Sequence, residues 1–113
     1  MSSISTHVLD VAQGKPAAGI PVSLEVKGTD GAWHPTGNGI TNQDGRCTDL
    51  VSPGQMAAGI YRLTWETEAY LLRSSRPAFF PQVAAVFTVS EAQQHYHIPL
   101  LLSPYGYSTY RGS

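Results

Sequence analysis

Val22-Ser23-Leu24-Glu25-Val26 alternates apolar with polar side chains and ends two residues before Gly28. Successive strand residues point to opposite faces, so this is the pattern of a half-buried strand. Tyr61-Arg62-Leu63-Thr64-Trp65 repeats it. Residues 4–11, 83–89 and 95–102 are further runs of strand-forming residues between turn-forming ones. Asn42-Gln43-Asp44-Gly45 has turn chemistry, because Asp-Gly supplies a positive φ. Residues 52–59 predict one or two helical turns closed by Gly59. Residues 28–42, with four glycines and a proline, read as surface loop. No segment sustains a 3.6-residue period. Seven or eight short strands predict an antiparallel sandwich of Ig-like topology.

At 113 residues the chain holds one hydrophobic core, so 1–113 is expected to be a single domain. Charged residues make up 13%, against roughly 25% in ordinary globular proteins. Such a shortage predicts that other copies of the chain cover part of the surface. The net charge of −1 gives no footprint for nucleic acid or anionic lipid. No apolar run approaches the roughly 20 residues that span a bilayer, and residues 1–11 have no signal-peptide pattern. The one cysteine, Cys47, forms no internal disulfide, which fits a reducing compartment. A cytoplasmic protein is expected.

From Ala92 onward there is no acidic residue and one cation, Arg111, yet four of the six tyrosines lie there. A free tail is polar and mobile. This one is expected to be ordered and packed against something.

His95 and His97, two apart on a strand, share a face; His7 points away from Thr6 and Val8. Arg46 follows the Asp44-Gly45 turn, where a loop can aim a guanidinium into a cleft. Taken singly, each has a plain reading as a solvated side chain, and His34 is expected to be exposed. Cys47 reads as a packed small residue. His-x-His with His7 as a third ligand would suit zinc, but no acid lies nearby in sequence to serve as general base, so no metal is expected. Gly-x-Ser-x-Gly, Walker and Cys-His nucleophile patterns are absent.

Ser5-Thr6-His7-Val8-Leu9-Asp10 followed by Gly14-Lys15-Pro16-Ala17 resembles the opening of the 5-hydroxyisourate hydrolases. Asn42-Gln43-Asp44-Gly45-Arg46-Cys47 is similar to their second motif, and the last nineteen residues, from His95 to Ser113, to their third. Gly59-Ile60-Tyr61-Arg62-Leu63 and Phe79-Phe80-Pro81 also fit. Transthyretin, a carrier of thyroid hormone, shares Leu101 to Tyr105 and Tyr107 to Thr109 but lacks the histidines and the terminal Tyr110-Arg111-Gly112-Ser113. The resemblance therefore favours the enzyme branch over a carrier of small aromatic ligands or a purely structural domain.

The resemblance implies an all-β, transthyretin-like (prealbumin-like) antiparallel β-sandwich of seven to eight strands with one short helix. It implies a homotetramer, a dimer of dimers, with active sites in the channel between dimers. Residues matching His7, Arg46, His97 and the Tyr110-to-Ser113 tetrapeptide line that channel. The implied substrate is 5-hydroxyisourate, whose cyclic amide is hydrolysed without a cofactor. Histidine near neutrality can activate water, so His7 and His97 are expected to share that role, with His97 preferred because a same-face neighbour can orient it. Arg46 can grip a planar urate-like edge through its fork. Tyr110 is expected to position the substrate or donate a proton, Ser108 to make a secondary contact, and Arg111, Gly112 and Ser113 to bind substrate. Arg111 paired with the Ser113 carboxylate is the alternative.

Overall fold

The computed structural model describes residues 3–52, 54–92 and 94–112. Nine strands and one helix are present among them: β1 (Ser3–Asp10), β2 (Lys15–Pro16), β3 (Pro21–Lys27), β4 (Trp33–Ile40), β5 (Arg46–Cys47), β6 (Gly59–Trp65), α1 (Glu68–Arg73), β7 (Val83–Val89), β8 (His95–Ser103) and β9 (Gly106–Thr109). They form two sheets. Sheet A runs β2-β1-β8-β9, with β5 also pairing β1; sheet B runs β4-β3-β6-β7. The alternating runs became strands for the expected reason. Val22 and Leu24 of β3 and Tyr61, Leu63 and Trp65 of β6 point inward and are buried, as do Ile4, Val8, Ile98, Leu100 and Leu102 from sheet A.

Three expectations need correction. The sandwich is not wholly antiparallel: β1 and β8 pair in parallel over eight residues, Ser3↔His95 to Asp10↔Leu102. The helix is not in residues 52–59, whose described members are irregular up to Gly59, where β6 begins: Met56 is buried, and Tyr61 Oη accepts from the Ala57 amide and donates to its carbonyl. It is Glu68–Arg73 instead, with an acid in its first turn, a base in its last and Leu71 buried. Six residues are too few for a periodic signal. Finally, residues 33–40 are strand, not loop. Glycine there makes room: a Cβ on Gly37 would lie 2.0 Å from the Leu50 carbonyl oxygen and one on Gly39 2.6 Å from Cys47 Sγ.

Asp10 fastens α1 to the end of β1. It is 1% exposed, and its carboxylate accepts from both terminal nitrogens of Arg76 (3.1 and 2.7 Å), from Tyr70 (2.8 Å) and from the Gln13 amide (3.1 Å). Burial pushes its pKa up, but Arg76, Tyr70 and Gln13 outweigh burial and hold it below the ordinary carboxylate value. A depressed acid stabilises the fold above its ordinary pKa, and that stability is lost as pH falls through the depressed value. Removing Arg76 leaves the carboxylate buried beside only neutral donors. Arg76→Ala is expected to cost on the order of 3 kcal/mol at neutral pH. Urea melts at pH 7 and pH 3 check it: the gap between parent and variant should narrow as the pH falls, and an equal midpoint at pH 7 would contradict the role of the pair.

Candidate active site

The outer face of sheet A collects the sequence-flagged residues in cross-strand rows. Arg46 of β5 stands opposite His7 of β1, which pairs with Pro99 of β8. In the next row Ser5 pairs with His97, and Gly112 bridges His97 from the far side, its amide donating to the His97 carbonyl at 2.7 Å. On the other side, Leu9 pairs with Leu101, which pairs with Ser108 of β9. The two leucines are half-buried and Ser108 is exposed, so apolar surface lies beside the polar rows.

Local chemistry fixes each piece. Asn42 Oδ1 accepts from the Asp44 and Arg46 amides (2.9 and 3.0 Å), Gly45 takes φ +76°, and the Gly45 carbonyl accepts from the Val8 amide at 2.7 Å. The expected turn thus docks on β1 and sets Arg46 beside His7. The His7 and His97 ring centroids are 6.4 Å apart; those of His95 and His97 are 6.2 Å apart and stacked. Ser5 Oγ lies 2.8 Å from His97 Nδ1. A Cβ on Gly112 would stand 2.8 Å from His97 Cδ2, so only glycine lets the tail lie this close to the ring.

Burial holds the His97 imidazole below its ordinary pKa, and His95, His7 and Arg46 act in the same direction. A neutral ring beside a guanidinium can take a proton from water while the cation faces a developing oxyanion. Cys47, the neighbour of Arg46, packs in the core, and burial pushes its thiol pKa up. Among the described residues no set of three His, Cys, Asp or Glu side chains is arranged to hold a metal ion.

His7, Arg46, His97, Gly112 and Ser108 therefore meet on one face. Tyr110 and Arg111 lie elsewhere within the chain. Both line an open cavity of about 330 Å³ between β7 and the sheet A edge, walled by Val86, Phe87 and Tyr96. The Arg111 guanidinium stacks 4.5 Å over Tyr96 and donates to Gln94 at 3.0 Å. Ser113, and with it the Arg111–Ser113 pairing, lies outside the described residues. His34 is exposed and bonded to Asp30 at 3.1 Å, far along sheet B. Ser5 was not anticipated. Its signal was parity with His7, two residues on along a strand whose odd positions face outward.

The chain matches the HIUase/Transthyretin family over residues 4–112. It is 42% identical to 5-hydroxyisourate hydrolase from Mus musculus over 113 residues, covering 99% of this chain and 96% of that protein. Against the Salmonella dublin 5-hydroxyisourate hydrolase it is 46% identical over 110 residues, covering 97% and 80%. The Klebsiella pneumoniae 5-hydroxyisourate hydrolase structure superposes with a TM-score of 0.85 at 41% identity over all of both chains. Sea bream transthyretin in complex with thyroxine superposes at 0.91, with 31% identity, covering 96% and 93%. Matched from residue 4 to residue 112, with relatives of this identity along nearly its whole length, the chain belongs to the HIUase/Transthyretin family.

Proposed function

We propose that this chain is a cofactor-independent hydrolase of 5-hydroxyisourate, opening its cyclic amide to 2-oxo-4-hydroxy-4-carboxy-5-ureidoimidazoline in urate degradation. The observation that carries this reading is the grouping of His7, Arg46 and His97 on one outer face, with the His97 pKa held below its ordinary value, in a chain so similar to 5-hydroxyisourate hydrolases. Water attacks the ring carbonyl as its proton passes to a histidine, His97 in this reading, with His7 assisting. The Arg46 guanidinium holds the substrate edge and steadies the oxyanion. Collapse breaks the C–N bond, and the ring nitrogen takes a proton back. A positioned base supplies roughly 10²–10⁴-fold and one oxyanion donor roughly 10²–10³-fold, together roughly 10⁴–10⁷. No covalent intermediate is needed. Leu9 and Leu101 offer an apolar surface to a planar ring, and Ser108 a polar contact at its border.

The face is open within one chain: Arg46 and Ser108 are exposed, and His7 and His97 are only half-buried. Enclosure from water therefore calls for a second copy. The proposed assembly is the homotetramer, a dimer of dimers, in which Tyr110, Arg111, Gly112 and Ser113 contribute to sites between copies. Large apolar side chains on the surface, Phe79 at 66% exposure and Val86 at 61%, favour such covering. A cytoplasmic location completes the reading, consistent with the one buried thiol, Cys47.

Substrate made in place from urate by urate oxidase provides the test. His97→Ala and His7→Ala should each slow its loss by about tenfold or more, His34→Ala hardly at all. His34→Ala as damaging as His97→Ala would remove the assigned face from the chemistry, and a parent that only binds would support a carrier instead. Chelator treatment and dialysis should leave the rate unchanged; a loss restored by zinc would move the histidines into a metal site. Deleting residues 110–113 should abolish hydrolysis while circular dichroism still reports the folded sandwich. Normal turnover by the truncated chain would take the tail out of the mechanism.

A further inference from the structure

His95 and His97 are joined through one hydroxyl, that of Ser5. Ser5 Oγ sits 2.8 Å from His97 Nδ1 and 3.2 Å from His95 Nε2, and His95 Nδ1 is hydrogen-bonded to Ser3 Oγ. A serine hydroxyl has one proton to give. Only one of the two rings can accept that proton, and a relay through Ser5 requires the other ring to donate to it. If His97 is the base of the hydrolysis proposed above, its Nε2 must be bare and its proton must sit on Nδ1. The chain then runs in one direction: His97 Nδ1–H to Ser5, Ser5 to His95 Nε2, His95 Nδ1–H to Ser3.

We infer that Ser5 and His95 are positioning residues that fix the tautomer of His97 and take its surplus proton during turnover. As the water O–H breaks and its oxygen bonds to the ring carbonyl, the proton moves to His97 Nε2. The Nδ1 proton passes to Ser5 Oγ while Ser5 gives its own to His95 Nε2. The positive charge then rests on His95, and His97 is neutral again. When the C–N bond breaks, the same chain runs backward, and His97 Nε2–H protonates the departing nitrogen.

The electrostatics favour this placement of charge. His97 is half-buried, and the groups that face it are His7 from β1, Arg46 from β5 and His95 from its own strand; the tail meets it through the Gly112 backbone. A cation on His97 is therefore opposed by burial and by Arg46. His95 is exposed at the start of β8, where water solvates the charge.

Four proteins test the inference: parent, Ser5→Ala, Ser5→Thr and His95→Phe, which keeps a ring but no acceptor. Ser5→Ala should lower kcat about tenfold or more with KM nearly unchanged, and Ser5→Thr, which keeps the hydroxyl, should recover most of it. His95→Phe should lower kcat and move the acid limb of the pH profile upward, since a neighbouring positive charge no longer opposes protonation of His97. Nitrogen-15 spectra of the resting parent, at a pH where the ring is neutral, should show His97 protonated on Nδ1. Ser5→Thr no better than Ser5→Ala, a His95→Phe acid limb identical to the parent's, or a resting Nε2–H tautomer would each overturn the relay. A parent without turnover would instead sink the hydrolase reading, and the spectra would still judge the hydrogen-bond chain.

Discussion

The Thr6 hydroxyl donates to the Ile98 carbonyl at 2.6 Å and accepts from the Trp65 indole N–H at 3.1 Å, all within the core. One buried side chain thereby pins β1 to β8 within sheet A and ties both to β6 of sheet B. The parallel β1–β8 ladder that it secures carries the rest of the molecule's design. A one-residue slip in a strand exchanges its two faces. Here a slip of β1 would turn Ile4, Thr6 and Val8 out to water and drive Ser5 and His7 into the core. The cost of that exchange fixes the register, and the register fixes which residues share the outer face.

What the face does follows from its surroundings. Parallel pairing sets Ser5 beside His97 and His7 beside Pro99, so the two histidines are diagonal neighbours with ring centroids 6.4 Å apart. The edge of β1 away from β8 is shared by two very short strands, β2 at Leu9 and Asp10 and β5 at Thr6 and His7. This division lets a turn from a distant part of the chain deliver Arg46 into the histidine row. Its positive charge then helps keep His97 neutral. Fold stability and site electrostatics are thus coupled through β1: its inward residues build the core and its outward residues build the site.

Much of this was legible in the residues. Alternation located β3 and β6 because their inward side chains are large and their outward ones polar, and parity put His95 and His97 on one face. The Asp44-Gly45 turn announced its positive φ. Other features left no local mark. Parallel pairing of strands more than eighty residues apart is set by global packing. Strand β4 was hidden because Gly37 and Gly39, which read as flexibility, serve close approach to Leu50 and Cys47. Helix α1 is too short to show a period, and the Pro- and Gly-containing segment 52–59 imitated it. The tail was rightly expected to be ordered, since Gly106–Thr109 forms β9 and Gly112 bridges His97. Its two sides could not be told apart from composition, and Arg111 turns out to stack on Tyr96 rather than join the histidines in the same chain.

His97, whose pKa burial and neighbouring positive charge hold down, is the group whose protonation shuts the proposed reaction off. The pH dependence of kcat/KM for the unaltered protein tests it most directly, because that profile reports the ionisations of the free enzyme. A single-proton acid limb lying below the ordinary histidine value of 6.5 is expected, the direction in which His97 is displaced. A limb at or above that value, or a rate that stays level down through the histidine range, would contradict it.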